Sequence, residues 1–324
     1  MMNKKIGYGL VLLALLAAPF FLYPILLMKV LCFALFACAF NLLIGYTGLL
    51  SFGHAAFFGG AAYATGYALT TLGWPMELGL LAGIVAGGVI GLIVGALAIR
   101  RQGIYFTMIT LALAQMLYFV CLQAPFTGGE DGLQGVPRGT LLGIVNLSND
   151  LNLYYVVLAI AVGAFALIVR TVHSPFGQVL RAIKENEPRA ISLGYDVNRY
   201  KLLAFVLSAA LAGLAGSTKT LVLGFATLSD VHWSMSGLVV LMVLVGGMGT
   251  IIGPIVGAIV IIALENKLGE FGNWMAAVTT IDWFRSIGES VTIVTGFIFI
   301  VCVLAFRRGI VGEVLAWVKR PAAH

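Results

Sequence analysis

Apolar residues dominate the chain in long runs that short polar breaks separate. Several runs reach the roughly 20 residues that an α-helix needs to cross the hydrocarbon core of a bilayer. They predict ten membrane spans, at residues 8–27, 29–46, 55–72, 78–99, 103–123, 153–169, 201–218, 234–246, 251–265 and 288–306. The pattern therefore predicts an all-α, single-domain polytopic membrane protein of about ten transmembrane helices.

Composition excludes the soluble class of protein. The chain is 61% hydrophobic, whereas soluble domains use roughly 45–50% apolar residues. Near the N-terminus, Lys4 and Lys5 precede an apolar run containing LLALLAAP, which is similar to a secretory signal peptide. Because that run continues to Met28 without a polar cleavage region, we expect a first transmembrane helix there.

Basic residues orient the predicted spans, because short cytoplasmic loops carry an excess of Lys and Arg. Ten spans put four basic clusters on one side of the membrane: Lys4–Lys5, Arg100–Arg101, residues 170–201, and Arg307–Arg308 with Lys319–Arg320. We therefore expect both termini in the cytoplasm. The outer side then holds the loops 124–152, 219–233 and 266–287.

Two pairs of apolar segments are interrupted by glycine-rich stretches. GYTGLLSFGHAAFFGG breaks the 29–72 region, and GGMGTIIGPIVGA breaks the 234–265 region, so each forms a Gly-broken hairpin. Such breaks point to a translocation pathway, but small residues also allow close helix packing, as in Gly249-xxx-Gly253-xxx-Gly257. Both interpretations stay open. The candidate pathway residues are Tyr46, Gly48, Ser51, Gly53, His54, Phe57, Gly246, Gly247 and Gly249.

A charged segment interrupts this apolar pattern, because residues 173–201 hold eight of the 32 charged residues. Ser174 is a candidate N-cap and Pro175 suits the first helical position. A second helix is expected near Pro188, with Glu187 as its cap and Gly194 at its end. The first helix has an apolar stripe of Phe176, Val179, Leu180 and Ile183. That stripe fits either the membrane interface or a groove on a cytoplasmic partner, and periodicity does not choose between them.

Residues for catalysis are missing from the sequence pattern. AGLAGSTKT imitates a phosphate-binding loop, but Lys219 lacks the preceding glycine that the motif requires. The four cysteines, at positions 32, 38, 121 and 302, have no metal-like spacing and are expected to be buried thiols. We expect no catalytic, cofactor-binding or metal-binding residues. The net charge of +6 suits anionic inner-leaflet lipid, and no nucleic-acid footprint is present.

Secondary transport is the rival class. Ion-coupled carriers place charged or histidine side chains within the membrane, but residues 30–76, 78–99 and 102–129 contain no Asp, Glu, Lys or Arg. This disfavours a proton relay. A sodium-coupled carrier that uses backbone carbonyls at broken helices stays open. On the outer side, TGGEDGLQGVP at 127–137 has the residues that turns require, and contact with a partner is the alternative.

Several stretches resemble the permease subunits of bacterial branched-chain amino-acid ABC importers. The most specific is SPFGQVLRAIKENEPRAISLGYDVNRYKLLAFVLSAALAGLAG. Others are NLLIGYTGLLSFGHAAFFGGAAYATGYAL, TGGEDGLQGVP and HWSMSGLVVLMVLVGGMGTIIGPIVGA, so the resemblance runs from about Asn41 to Gly312. The Gly-rich stretches recur more loosely in related permeases for sugars, urea and amides, so urea, short amides or another small solute remain alternative substrates.

The resemblance implies a set of partners. They are two cytoplasmic ATPase subunits that bind ATP and Mg²⁺, a second related permease and a periplasmic amino-acid-binding protein, all at the bacterial inner membrane. Residues 171–200 would be a cytoplasmic coupling segment, whose helices dock on the ATPase through Phe176, Gly177, Leu180, Ile183, Arg181, Glu185, Asn186 and Arg189. The periplasmic loop 124–152 would contact the binding protein through Gly128, Gly129, Asp131 and Gly132. The chain itself would hydrolyse nothing.

Overall fold

A computed structural model gives the structure of the protein at residues 13–141, 143, 145–279, 296–297, 300 and 309–318. Its helices are α1 (Pro24–Tyr46), α2 (His54–Thr70), α3 (Met76–Ala98), α4 (Ile104–Gln123), α5 (Asp150–His173), α6 (Pro175–Glu185), α7 (Glu187–Ser192), α8 (Val197–Leu223), α9 (Leu228–Val231), α10 (Trp233–Gly246), α11 (Gly253–Thr279) and α12 (Gly309–Val318). Short 3-10 turns accompany them at Ala18–Phe20, Pro125–Thr127 and Gly129–Asp131.

Within the described residues, five helices are long and apolar enough to cross a membrane: α1, α3, α4, α5 and α8. The shorter apolar helices are α10 and the first part of α11, Gly253–Asn266, and α2 adds 17 residues. The protein is therefore a polytopic membrane protein, and the count of ten spans stays a prediction. The predicted span 288–306 lies almost wholly outside the described residues.

The predicted boundary between the first two spans, at residues 28–29, is wrong. Helix α1 begins at Pro24 and runs without a break through Lys29. The interruption lies earlier, at the 3-10 turn Ala18–Phe20, and Pro24 suits the first helical turn because it needs no amide donor there. Lys29 does not end the helix, since its Nζ lies 4.0 Å from a carboxylate oxygen of Glu265.

Close helix packing places α8 in the middle of the bundle, in contact with α1, α2 and α3. Gly83, Gly87 and Gly91 recur at every fourth position of α3 and face α8. A Cβ on Gly87 would lie 2.9 Å from the carbonyl oxygen of Ala209, so glycine allows this approach. Small residues at this interval are typical of helices that pack closely in a bilayer, where lipid supplies no hydrophobic drive for association.

The two ends of the bundle carry different structures. The connections 47–53 and 247–252 lie at the end that also holds α6 and α7, which we call the α6 end. The opposite end holds residues 124–149 and α9, and we call it the α9 end. Helix α8 extends from one end to the other with 27 residues, a length of about 40 Å at 1.5 Å per residue.

The α9 end contains a small departure from the all-α prediction. Strands β1 (Thr140–Leu141) and β2 (Val145–Asn146) pair antiparallel within the predicted outer loop. Gly143, between them, has a φ of 70°, a value that glycine adopts without a Cβ penalty. An isolated antiparallel bridge from Leu133 to Ala226 ties this loop to the segment that follows α8.

Candidate functional site

The coupling segment forms the two short helices that its sequence predicts. The Ser174 side chain accepts a hydrogen bond from the Gly177 amide at 3.4 Å, which confirms the predicted N-cap of α6. Helix α7 is capped by Asn186, whose Oδ1 accepts from the Arg189 amide at 3.0 Å. The prediction of Glu187 as this cap is wrong, since the shorter Asn side chain at the preceding position reaches the amide.

The apolar stripe of α6 faces the interior of the protein. Leu180 is 0% and Ile183 is 2% exposed, and Ile183 forms a cluster with Ala190 of α7 and Val197 of α8. Phe176 stacks on Tyr200 of α8, with ring centroids 5.7 Å apart. The chain itself therefore covers this stripe, so neither lipid nor a partner groove reaches Leu180 and Ile183 in this structure.

Gly177 belongs to the turn that joins α5 to α6. A Cβ at this position would meet the carbonyl oxygens of Thr171 and Val172 at the end of α5. The residue is buried, so the structure gives it a packing role where the helix reverses direction. A larger side chain there would push α6 away from the end of α5.

The exposed side of the coupling segment is polar. Among the residues expected to contact an ATPase, Arg181, Glu185, Asn186 and Arg189 are exposed. Arg181 also lies over the ring of Tyr46, with its guanidinium carbon 5.2 Å from the ring centroid. The surface available to a partner is therefore this charged face, and the buried stripe supports it from beneath.

A lysine that the sequence analysis did not single out connects α6 to α1. Lys184 Nζ donates a hydrogen bond to the Gly45 carbonyl oxygen at 2.7 Å. Its stem passes beside Gly48, where an added Cβ would lie 3.3 Å from the Lys184 Cγ atom. Desolvation lowers the pKa of Lys184 from its ordinary value. Gly48, with a φ of 75°, thus turns the chain directly beside the coupling segment.

The two glycine-rich connections meet each other at the α6 end. Asn41 Nδ2 donates to the Thr250 carbonyl at 2.8 Å, and Asn41 Oδ1 accepts from the Gly249 amide at 2.9 Å. A Cβ on Gly45 would lie 3.0 Å from the Gly249 Cα atom. Asn41 is therefore the residue that joins the connections, and its polar side chain inside an apolar span was the available signal.

Gly246 and Gly247 pack where α10, α11 and α12 come together. A Cβ on Gly246 would meet the Gly253 carbonyl, and a Cβ on Gly309 would meet the Gly247 backbone. Gly257 likewise approaches the Met242 carbonyl oxygen. These contacts favour the close-packing interpretation for this group of glycines, and a role in the pathway stays a prediction.

His54 links three helices of the core. Its Nε2 lies 2.9 Å from Ser208 Oγ on α8, and Ser208 donates its own proton to the Ala39 carbonyl on α1 at 2.6 Å. Because a carbonyl only accepts, the Ser208 oxygen must accept from His54, which places the histidine proton on Nε2. Phe57 is 0% exposed and packs edge-on against the Phe205 ring. The side chains of His54 and Phe57 are therefore both buried among the helices of this chain.

Ser51 and Gly53 shape the connection between α1 and α2. Ser51 Oγ accepts a hydrogen bond from the Gly53 amide at 3.2 Å. A Cβ on Gly53 would lie 2.8 Å from the Thr110 carbonyl oxygen of α4. Thr107, one turn earlier, donates to the Leu50 carbonyl at 2.9 Å. The start of α4 is thereby fixed beside this connection.

The outer-loop residues expected to meet a binding protein form tight turns. Gly128, Gly129 and Gly132 have φ values of 77°, 60° and 69°, in the left-handed region that favours glycine. Gly132 approaches the Ala226 carbonyl so closely that a Cβ would collide with it. Asp131 is exposed beside them. The glycines thus have a structural role, and contact of the exposed Asp131 with a binding protein stays a prediction.

A buried ion pair at the α9 end escaped the sequence analysis. Lys219 Nζ lies 2.6 Å from Asp230 Oδ2, and the two side chains are 5% and 3% exposed. Asp230 also accepts from the Thr227 amide at 3.1 Å, and Lys219 lies over the Phe225 ring at 4.8 Å. The pair fixes residues 224–230 to the end of α8. Two opposite charges eleven residues apart in an apolar region were the available signal.

Comparison with known proteins bears on this arrangement. The family model described as "Branched-chain amino acid transport system / permease component" matches residues 23–306. The high-affinity branched-chain amino acid transport system permease protein LivM of Escherichia coli (strain K12) is 28% identical over 263 residues, 72% of this chain and 60% of LivM. The autoinducer 2 import system permease protein LsrC of Klebsiella pneumoniae is 30% identical over 200 residues, 58% of this chain and 54% of LsrC.

A sugar permease also matches. The ribose import permease protein RbsC of Haemophilus influenzae is 27% identical over 199 residues, which cover 58% of each chain. The chain spans about 60% of the length of the first curated relatives that it matches. No solved structure matches it.

Proposed function

The chain belongs to the family of branched-chain amino acid transport system permease components, and from this premise we propose that it is a transmembrane subunit of an ATP-driven importer for leucine, isoleucine and valine. Members of this family are non-catalytic components. The observation that carries the proposal is the family match across residues 23–306 together with a folded, charged coupling segment at one end of the bundle. Selection of the solute would fall largely to a separate binding protein.

The exposed face of α6 and α7 is the proposed docking surface for the ATPase subunits. Arg181, Glu185, Asn186 and Arg189 present charges and amide groups there, while the buried stripe keeps the helix in place. Two ATPase subunits would supply ATP and Mg²⁺ binding. Lys219, the lysine of the stretch that imitates a phosphate-binding loop, is paired with Asp230. This supports placing the nucleotide site in a separate subunit.

We place the α6 end in the cytoplasm of a bacterium and both termini on the same side. The structure supports this orientation through the positions of the basic residues. Arg100 and Arg101 precede α4, whose first turn bonds the 47–53 connection through Thr107. That connection lies against Lys184 of the coupling segment. One end of the bundle thus gathers two of the four basic clusters, as the positive-inside rule requires.

Assembly with a second permease would complete the translocation pathway. The candidate residues at the connection of α1 and α2, such as His54 and Phe57, are enclosed by this chain's own helices. A route for the solute between two permease subunits, opened by movement of the joined connections, fits this enclosure. The exposed Asp131 and the turns around it would contact the periplasmic binding protein at the other end.

The identity of the solute is the most specific part of the proposal, and one alternative solute has a basis in the relatives. Relatives named as ribose and autoinducer 2 import permeases match this chain at 27% and 30% identity. A small polar solute other than an amino acid is therefore the second candidate. It would use the same coupling segment, since only the binding protein and the pathway need to differ.

Reconstituted vesicles provide the test. The chain is combined with its ATPase subunits, partner permease and binding protein, and uptake of labelled leucine is measured with and without ATP. We expect uptake only with ATP and binding protein, and competition by isoleucine and valine but not by ribose. Competition by ribose alone would support the second candidate. Uptake that needs no ATP and follows a sodium or proton gradient would contradict the importer function.

A further inference from the structure

The last turn of α1 ends in carbonyl groups that the helix itself cannot satisfy. The final carbonyl groups of any α-helix lack intrahelical partners, and Gly45 lies next to the end of α1 at Tyr46. Lys184 Nζ donates to the Gly45 oxygen at 2.7 Å. A cation at this position is also favoured by the negative end of the helix dipole. Lys184 of α6 therefore acts as the cap of α1.

The same carbonyl group faces the second glycine-rich connection. A Cβ on Gly249 would lie 3.4 Å from the Gly45 oxygen, so the 247–252 segment runs directly beside it. Asn41, one turn earlier on α1, holds this segment through the Gly249 amide and the Thr250 carbonyl. One lysine side chain thus reaches the point at which both connections meet.

Two neighbouring contacts add to the attachment of α6 to the end of α1. Arg181, three residues before Lys184, lies over the Tyr46 ring, and the Lys184 stem packs beside Gly48. Gln178, one turn before Arg181 on the same face of α6, is exposed. A force on this exposed face therefore reaches α1 through a single turn of α6. It passes through the contact of Arg181 with Tyr46 and through the hydrogen bond from Lys184 to Gly45.

We propose that Lys184 is a positioning residue that transmits movement of the coupling segment to the two joined glycine-rich connections. The inference rests on the proposed function, because the movement would be driven by the partner ATPase. Asn41 would then pass the displacement of α1 to the 247–252 segment. Lysine suits the task since its ammonium group can keep a carbonyl contact while its flexible stem adjusts.

The test measures solute transported per ATP hydrolysed in reconstituted vesicles. Lys184→Met removes the donor and keeps a long stem, and Lys184→Arg restores a cation. Arg199→Met is the matched control, because it removes an exposed cation at the start of α8, outside the proposed docking surface. We expect Lys184→Met to keep its ATPase subunits bound and hydrolysing while the ratio falls roughly tenfold. Lys184→Arg is expected to recover most of the ratio, and Arg199→Met to match the wild type.

Several outcomes would overturn the inference. A wild-type ratio in Lys184→Met would show that the contact transmits nothing, and loss of ATPase binding in that variant would assign Lys184 to docking instead. If Lys184→Met does not fold, Lys184→Gln replaces it, because a shorter polar side chain suits this exposed position. A wild-type ratio in Lys184→Gln would overturn the inference equally. If the wild type itself shows no ATP-driven uptake, the proposed function has failed, which is a distinct result.

Discussion

Two lysines show how the ends of the bundle differ. At the α9 end, Lys219 is enclosed with Asp230 in an ion pair whose side chains are 5% and 3% exposed. At the α6 end, the exposed Lys184 donates to a neutral carbonyl of Gly45. The first contact is costly to separate, because each charge would be left unpaired in an apolar surrounding. The second can exchange its carbonyl for water.

The contrast suits different tasks at the two ends. At the α9 end, the bridge from Leu133 to Ala226 and the Lys219–Asp230 ion pair both hold the segment that follows α8. We therefore expect this end to be rigid. The α6 end joins two connections and a coupling helix through a few hydrogen bonds around Asn41 and Lys184. Movement during transport is therefore expected at the α6 end.

The largest effect is expected for Asp230→Ala. The substitution leaves the Lys219 charge buried without its partner, which costs about 3–5 kcal/mol in other buried pairs. Thermal unfolding of the purified protein in detergent measures the loss. The control is Asp131→Ala at the same α9 end, which removes an exposed carboxylate and should leave the unfolding temperature unchanged. Equal unfolding temperatures for both variants would contradict the claim that the Lys219–Asp230 pair stabilises the α9 end.

Leu180→Ala tests the buried stripe of the coupling segment. Removing a fully buried leucine side chain typically costs about 2–5 kcal/mol, so the free energy of unfolding should fall. The control is Ala182→Ser on the exposed side of α6, for which no change is expected. If Leu180→Ala unfolds like the wild type but loses its ATPase subunits, the stripe faces the partner after all.

Asn41→Leu tests the junction of the two connections at intermediate cost. The substitution keeps the approximate size of the side chain but leaves the Gly249 amide without its acceptor. An unsatisfied buried group costs about 1–3 kcal/mol. The measurement is again the unfolding temperature, and faster hydrogen exchange at residues 247–252 should accompany the loss. Unchanged exchange there would show that Asn41 does not hold the connections together.

Arg189→Glu should have the smallest effect on stability. The side chain is exposed on α7, and surface substitutions usually stay within about 0.5 kcal/mol. Reversal of its charge is nevertheless expected to weaken binding of the ATPase subunits, measured by their recovery with the purified permease. The comparison variant is Arg199→Glu at the start of α8, outside the proposed docking surface. Equal recovery with both variants would remove Arg189 from that surface.

Sequence reasoning captured the membrane spans because hydropathy reflects the environment directly. The predicted 78–99 and 103–123 correspond to α3 and α4, and Ser174 caps α6 as expected. It failed where a partner distant in sequence decides the outcome. Periodicity defines an apolar stripe on α6 but not what covers it, so the burial of Leu180 within the chain was not foreseen. The boundary between the predicted spans 8–27 and 29–46 was misplaced, because α1 already begins at Pro24 and the pairing of Lys29 with Glu265 exists only in three dimensions.

Two pairings of lysine side chains were missed in different ways. Lys219 and Asp230 lie on different helices, and Lys184 meets Gly45 across 139 residues of sequence. The nearby opposite charge was a signal for Lys219, whereas nothing local distinguishes Lys184 from the other polar residues of its amphipathic helix. The glycine-rich connections were recognised, but their junction through Asn41 depends on how the helices pack.

The most direct test of the difference between the ends is hydrogen–deuterium exchange on the assembled transporter, with and without a non-hydrolysable ATP analogue. We predict altered protection at residues 45–53 and 247–252, and unchanged protection at residues 224–232, where the Lys219–Asp230 pair lies. Altered protection at 224–232 with none at the two glycine-rich connections would contradict the account, because movement would then begin at the end that the ion pair was expected to hold fixed.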